Sequence, residues 1–161
     1  MHSNSRYLLI IGCSQRKRSD VGLLPAIDRY DGGSYRILRK AQREGTLPES
    51  LDVLILSAKY GLISASTPIA SYEQRMTRER AKELQAQTVQ TLQNYARQHS
   101  YQGVYVDLGQ DYYPAIGDVS KIFANASIVY AQGKIGERLA RVKRWLMATC
   151  ETERTIFSLS Q

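Results

Sequence analysis

The 161-residue sequence holds only two cysteines and two histidines. Cys13 and Cys150 lie far apart, with neither a CxxC pair nor metal-ligand spacing, which argues against a disulfide framework or a zinc site. His2 and His99 fall outside every strand-end loop, so catalysis by histidine is disfavoured. No glycine cluster follows GxGxxG or GxxxxGK[ST], which argues against ordinary dinucleotide and P-loop binding. No apolar run approaches membrane-spanning length, and Tyr7–Ile11, after the single Arg6, is too short for a signal-peptide core. The expectation is a soluble, cytoplasmic protein with no membrane partner and no metal or cofactor. Repeats, low-complexity tracts and linkers are also missing.

What is present is enough for one core. Hydrophobic residues make up 43% of the chain, which suits one α/β domain over residues 1–161, with a short tail from about residue 151 that docks through Ile156 and Phe157. The net charge of +7 favours polyanions or anionic small molecules as partners. Met1 to Ser5 are polar and expected to be loose.

Four apolar runs read as strands: Tyr7–Cys13, the first half of Asp52–Leu62, Val104–Leu108 and Ala126–Ala131. The second run reads as the central strand. Helical spacing marks three segments between and after them. Tyr35–Glu44 is capped by Ser34, buries Ile37, Leu38 and Ala41, and stops at Gly45. Arg78–Arg97 is capped by Thr77 and buries Ala81, Leu84, Thr88, Leu92 and Tyr95. Ile135–Cys150 buries Ile135, Leu139, Val142, Trp145 and Leu146. Asp20–Gly33 and Ser64–Met76 read as long loops at one end of the sheet. The alternation predicts a three-layer α/β/α sandwich around a mainly parallel four-stranded sheet.

In such a sheet ligands sit outside the carboxyl ends of the strands. The loops Cys13–Lys17, Ser57–Tyr60, Gly109–Tyr113 and Gln132–Lys134 would converge there. Cys13 reads either as a small buried hydrophobe or, beside Arg16, Lys17 and Arg18, as a nucleophile. Ser14, Arg16 and Lys17 can donate to anionic oxygens. Lys59 reads as a ligand contact or a solvated loop lysine, and Tyr60 as a stacking or a packing residue. Asp111 is either a water-positioning carboxylate or the cap of a following helix. Asp107 shares the first of those roles if it reaches the pocket. Tyr112 and Tyr113 stack on a base or pack. The cations of Arg36–Arg43 and Arg138–Arg144 are solvated faces or nucleic-acid contacts.

Several spaced motifs carry a resemblance. Cys-Ser-x-x-Lys (Cys13, Ser14, Lys17), Tyr-Asp-Gly (Tyr30, Asp31, Gly32), Leu-Ser-Ala-Lys-Tyr-Gly-Leu (Leu56 to Leu62) and Tyr-x-x-Arg-Met (Tyr72 to Met76) resemble small bacterial and phage proteins labelled peroxide-stress protein YaaA-like. The resemblance spans about the first 115 residues. The Cys-Ser-x-x-Lys strand end is also similar to a piece of archaeosine synthase, whose domain is similar to uracil-DNA glycosylases. That resemblance implies a four-stranded parallel sheet with helices on both sides. Gly109-Gln110-Asp111 is similar to the glycosylases' water-activating motif, but it follows the third strand rather than the first and continues Tyr-Tyr-Pro.

The expected function is an enzyme, glycosidase-like or glycosyltransferase-like, acting on a nucleobase, nucleoside or nucleotide at an N-glycosidic bond or a modified base. Its catalytic candidates are Asp111, Lys59 and Asp107. Its expected ligand contacts are Cys13, Ser14, Arg16, Lys17, Tyr30, Asp31, Ser57, Tyr60, Tyr72, Arg75, Gly109, Gln110 and Tyr112. The alternative is a non-catalytic DNA-binding, RNA-binding or nucleotide-sensing module of the YaaA-like stress-response type.

Overall fold

The computed structural model describes residues 5–161. Met1–Asn4, with the polar segment's His2, lie outside the described residues. Strand β1, Ser5–Gly12, is the middle of the sheet. Leu8 and Ile10 point to one face and Leu9 and Ile11 to the other, and all four are buried, so the run is apolar without alternation.

The chain then forms two small elements, β2 (Leu24–Pro25) and the one-turn helix α1 (Ala26–Arg29), before helix α2, Gly33–Glu44. Gly45, at φ 69°, ends α2 as expected. Strand β3 (Leu51–Ser57) pairs parallel with β1. It is not the central strand, because β1 occupies that place. Gly61, at φ 75°, lets the chain reverse, and β4 (Gly61–Ser64) pairs antiparallel with β3 through Ser57 and Gly61. The expected long loop from Ser64 also holds β5 (Pro68–Ile69), which joins β2 in a two-stranded ribbon.

Thr77 caps helix α3 (Arg78–Gln98), its hydroxyl accepting from the Arg80 amide at 3.0 Å. Ala81, Leu84, Thr88 and Leu92 form its buried face. Strand β6 (Ser100–Asp107) follows, then a 3-10 turn over Gln110–Ala115, helix α4 (Val119–Ile122) and strand β7 (Ser127–Tyr130). The last element is helix α5, Ile135–Leu159.

The sheet order is β4-β3-β1-β6-β7, parallel except for β4. The α/β architecture holds, but the sheet is mixed and five-stranded, because the short Gly-Leu-Ile-Ser run after the turn carries too little pattern to read as a strand. One apolar layer joins Leu8, Leu54 and Val106 to Leu84 and Leu92 of α3. The other joins Leu9, Ile55 and Tyr105 to Leu38 of α2 and Val142 and Leu146 of α5.

Two expectations for α5 fail. The helix runs through the expected tail: Thr149, Thr152 and Thr155 each donate their hydroxyl to the carbonyl four residues back, and the Glu153 carboxylate accepts the amides of Glu49 and Ser50 at 3.0 and 2.7 Å. Glu153, not Ile156 or Phe157, makes the docking contact, and both apolar residues remain exposed. Ile135 is exposed as well, since it sits in the first turn at the mouth of a cavity. Among the described residues, no helix is long and apolar enough to cross a membrane.

Candidate functional site

Two cavities lie at the carboxyl ends of β1 and β6, and both are lined by Cys13, Ser14 and Tyr112. β1 connects onward to β3 on one side and is flanked by β6 on the other, so this is the point where the strand order reverses. Tyr112 is fixed between the cavities by two close approaches. Gly12, lacking a side chain, leaves room for its ring, since a Cβ there would lie 3.1 Å from a ring carbon. Its hydroxyl donates to the Cys13 carbonyl at 2.9 Å and lies 3.2 Å from the Cys13 sulfur.

The smaller cavity, about 350 Å³, opens between the first turns of α2 and α5. Gly32 and Lys134 stand at the N-cap positions of these helices, and neither supplies a side-chain cap, so amides at the two helix starts keep unused donors there. Asp107, only 9% exposed, faces the same space. Ser34 donates to one of its oxygens at 3.0 Å and Arg138 to the other at 2.8 Å. Arg138 also donates to the Leu108 carbonyl at 3.1 Å. Donors and an acceptor carboxylate thus stand side by side.

The larger cavity, about 770 Å³, is lined by Lys17, Tyr72, Glu73, Arg75 and Asp111 together with the shared residues. Behind Tyr72 is a closed hydroxyl cluster: Tyr30 donates to Ser57 at 3.1 Å, and the Tyr72 hydroxyl lies 2.7 Å from Tyr30 and 2.9 Å from Ser57. Ser57 also accepts the amides of Lys59 and Tyr60. Burial raises the Tyr30 phenol to about 12 and pushes Tyr72 and Tyr112 upward too, so the wall is made of neutral phenols. The Lys17 ammonium lies 4.3 Å from the centre of the Tyr72 ring. Burial lowers the Lys17 pKa, against the opposing pull of Cys13 and Glu73.

The loop carrying Lys17 is held by backbone bonds. Lys17 forms a bridge with Tyr30, the Arg18 amide donates to the Arg29 carbonyl at 2.8 Å, and the Asp31 amide donates to the Arg16 carbonyl at 2.9 Å. Arg29 is fully buried, and its guanidinium donates to the carbonyls of Arg18, Asp20, Gly22 and Ile69. Asp31 gathers Arg16, Arg36 and Arg39, the shortest pairing being 2.7 Å to Arg39.

Of the residues expected at the site, Cys13, Ser14, Lys17, Tyr72, Arg75, Asp107, Gly109, Asp111 and Tyr112 line one or both cavities. Ser57 and Tyr30 line neither cavity: both are 0% exposed and satisfied within the hydroxyl cluster. Asp31 and Arg16 pair with each other beside the site. Tyr60 packs edge-on against Tyr72 at 5.6 Å, and Lys59 lies over the Tyr60 ring, both outside the cavity walls. Gln110 is exposed and also outside them. Ser34 does not cap α2, because its hydroxyl is spent on Asp107. Asp111 caps no helix, since the 3-10 turn starts at Gly109 without a side-chain cap.

Ser34, Arg138, Gly33 and Glu73 also line the cavities and were not expected to, whereas Gly133 belongs to the Gln132–Lys134 loop that was expected to converge there. Arg138 had a signal. A cation in the first turn of a helix opposes the macrodipole and calls for a nearby carboxylate. Among the described residues, no cluster of His, Cys, Asp and Glu could hold a metal ion.

No curated protein matches the chain. One solved structure, the crystal structure of AF0587, a protein of unknown function, matches with a TM-score of 0.49 and 15% sequence identity over 88% of this chain. The match spans 44% of that protein's length. A family model matches residues 8–144, from β1 into α5, and the chain therefore belongs to DUF6884, a family of unknown function.

Proposed function

We propose that the protein is an enzyme acting on a nucleobase, nucleoside or nucleotide, most simply by hydrolysing an N-glycosidic bond or modifying the base. The observation that carries this reading is the pair of cavities sharing Cys13, Ser14 and Tyr112. One offers donors beside the Asp107 carboxylate, the other a wall of neutral aromatic rings. A bare phosphate suits the smaller cavity poorly, because Asp107 faces it. A sugar or base edge carrying both N–H or O–H donors and carbonyl or hydroxyl acceptors suits it well. A planar ring would lie against Tyr112 in the larger cavity, beside the Lys17 ammonium that rests on the Tyr72 ring, where base–aromatic stacking contributes about 1–3 kcal/mol.

In this reading Asp107, already engaged by Ser34 and Arg138, orients the ligand. Asp111, at the exposed lip of the larger cavity, is the carboxylate available to position water or to face the positive charge that develops on a sugar as its base leaves. Lys59 and Tyr60 stiffen the Tyr72 wall from behind. The resemblance to the glycosylase-like domain of archaeosine synthase points to the same substrate class.

The test is release of free base from a panel of nucleosides and nucleotides, followed by chromatography. Turnover of the responding substrate is expected to fall about a hundredfold in Asp111→Asn, the size of a general acid–base contribution, with folding unaffected. Unchanged turnover in that variant, or no release and no binding across the panel, contradicts the proposal.

A further inference from the structure

We infer that Lys17 is an amine nucleophile that forms a Schiff base with the aldehyde carbon of a 2-deoxyribose that has lost its base. The inference rests on the nucleoside reading of the cavities and deepens it by assigning a second step after base loss.

The basis is the setting of the Lys17 amine. Among the described residues no ion pair within 4.0 Å involves Lys17, a condition it shares with other cations such as Lys59, and Lys17 lines the larger cavity. Its ammonium reaches only the Gln15 carbonyl, at 3.5 Å, and otherwise rests on the Tyr72 and Tyr30 rings at 4.3 and 5.8 Å. The neighbouring hydroxyls of Tyr30, Tyr72 and Ser57 are bonded to one another. A lysine that lines a cavity, with no carboxylate in contact and its amine partly desolvated, is in a setting that activates amines for carbonyl chemistry. Burial lowers its pKa, which increases the fraction present as the free amine. The loop is anchored through the Lys17–Tyr30 bridge, so the backbone that carries the amine is held at the cavity before a ligand arrives.

The step balances without any external oxidant or reductant. The Lys17 lone pair attacks C1 of the open-chain sugar as the carbonyl π pair moves to oxygen. That oxygen takes one proton from the attacking nitrogen and one from solvent and leaves as water. The product is a protonated imine joining Nζ to C1. Added borohydride delivers hydride to C1 and fixes the link as a secondary amine.

The experiment incubates the full chain with sodium borohydride and either a single-stranded oligonucleotide carrying one abasic site or free 2-deoxyribose 5-phosphate, then maps adducts by peptide mass spectrometry. A single adduct on Lys17 is expected, absent in Lys17→Arg and retained in Lys82→Ala, a change on the exposed side of α3 away from both cavities. The unliganded melting midpoint of Lys17→Arg should match the parent, which separates loss of the amine from loss of fold. Reaction with the oligonucleotide alone assigns a nucleic-acid substrate, and reaction with both probes assigns the free sugar as sufficient. Adducts scattered over surface lysines, an adduct persisting in Lys17→Arg, or none with either probe overturns the inference. A nucleoside-induced melting shift without an adduct leaves the nucleoside reading standing and removes the Schiff base. An adduct without any nucleoside shift supports the amine and removes the nucleoside reading.

Discussion

Arg29 shows how much of the site depends on a residue that touches no ligand space. Its guanidinium gathers four carbonyls from the Arg18–Gly22 loop and β5. Replacing it with methionine keeps bulk but leaves those carbonyls without their donor. A loss of about 3 kcal/mol is expected, read by urea denaturation, with faster proteolytic nicking in the 18–25 segment. Asp31 acts nearby by charge. The hydrogen bond from Arg36, and then the Arg36 charge and the Arg39 contact, hold its carboxyl at about 2, against an ordinary 3.8. Because the folded value lies below the unfolded one, its contribution is complete above about pH 4 and is lost as pH falls toward 2. The stability gap between parent and Asp31→Asn is therefore expected to be constant near neutrality and to close between about pH 4 and about pH 2. A gap that does not change with pH contradicts this account of the loop.

At the scale of elements, long apolar or periodic segments were legible and short ones were not. β1, β3, β6 and α3 follow from apolar runs and three-four spacing, and Thr77 and Gly45 mark helix ends as their chemistry requires. β4 was hidden because four residues after a turn carry no period, although Gly61 at positive φ is its hinge. The end of α5 was hidden because Glu-Thr-Glu-Arg-Thr reads as polar tail, and the bonds of Glu153 to the Glu49 and Ser50 amides just before β3 are tertiary contacts that no local pattern announces. Glu153→Ala is accordingly expected to cost about 1 kcal/mol, a fall of roughly 2–4 °C in the melting midpoint, and to fray α5 beyond that point by hydrogen exchange. The site was legible where loops converge on strand ends, as at Cys13, Ser14, Lys17 and Tyr112. It was illegible where burial decides the role. The hydroxyls of Ser57 and Tyr30 look like ligand donors in sequence, but the fold turns them inward to brace Tyr72.

For the molecule as a whole, the charge of +7 does not by itself make a nucleic-acid surface. Arg36 and Arg39 of α2 are committed to Asp31, and Arg138 of α5 to Asp107, which withdraws three of the cations that a polymer-binding face would use. The central claim is that the paired cavities bind a nucleoside-type ligand, and a thermal-shift titration with nucleobases, nucleosides, nucleotides and short DNA and RNA tests it most directly, with Arg138→Ala as the control. A ligand at one hundred times its dissociation constant adds about 2.7 kcal/mol, or roughly 5–10 °C for a chain of this size. The account predicts such a shift with a small nucleoside-type ligand and its collapse in Arg138→Ala. A shift produced only by polymer, unchanged in that variant and erased by salt as released counterions require, would contradict it.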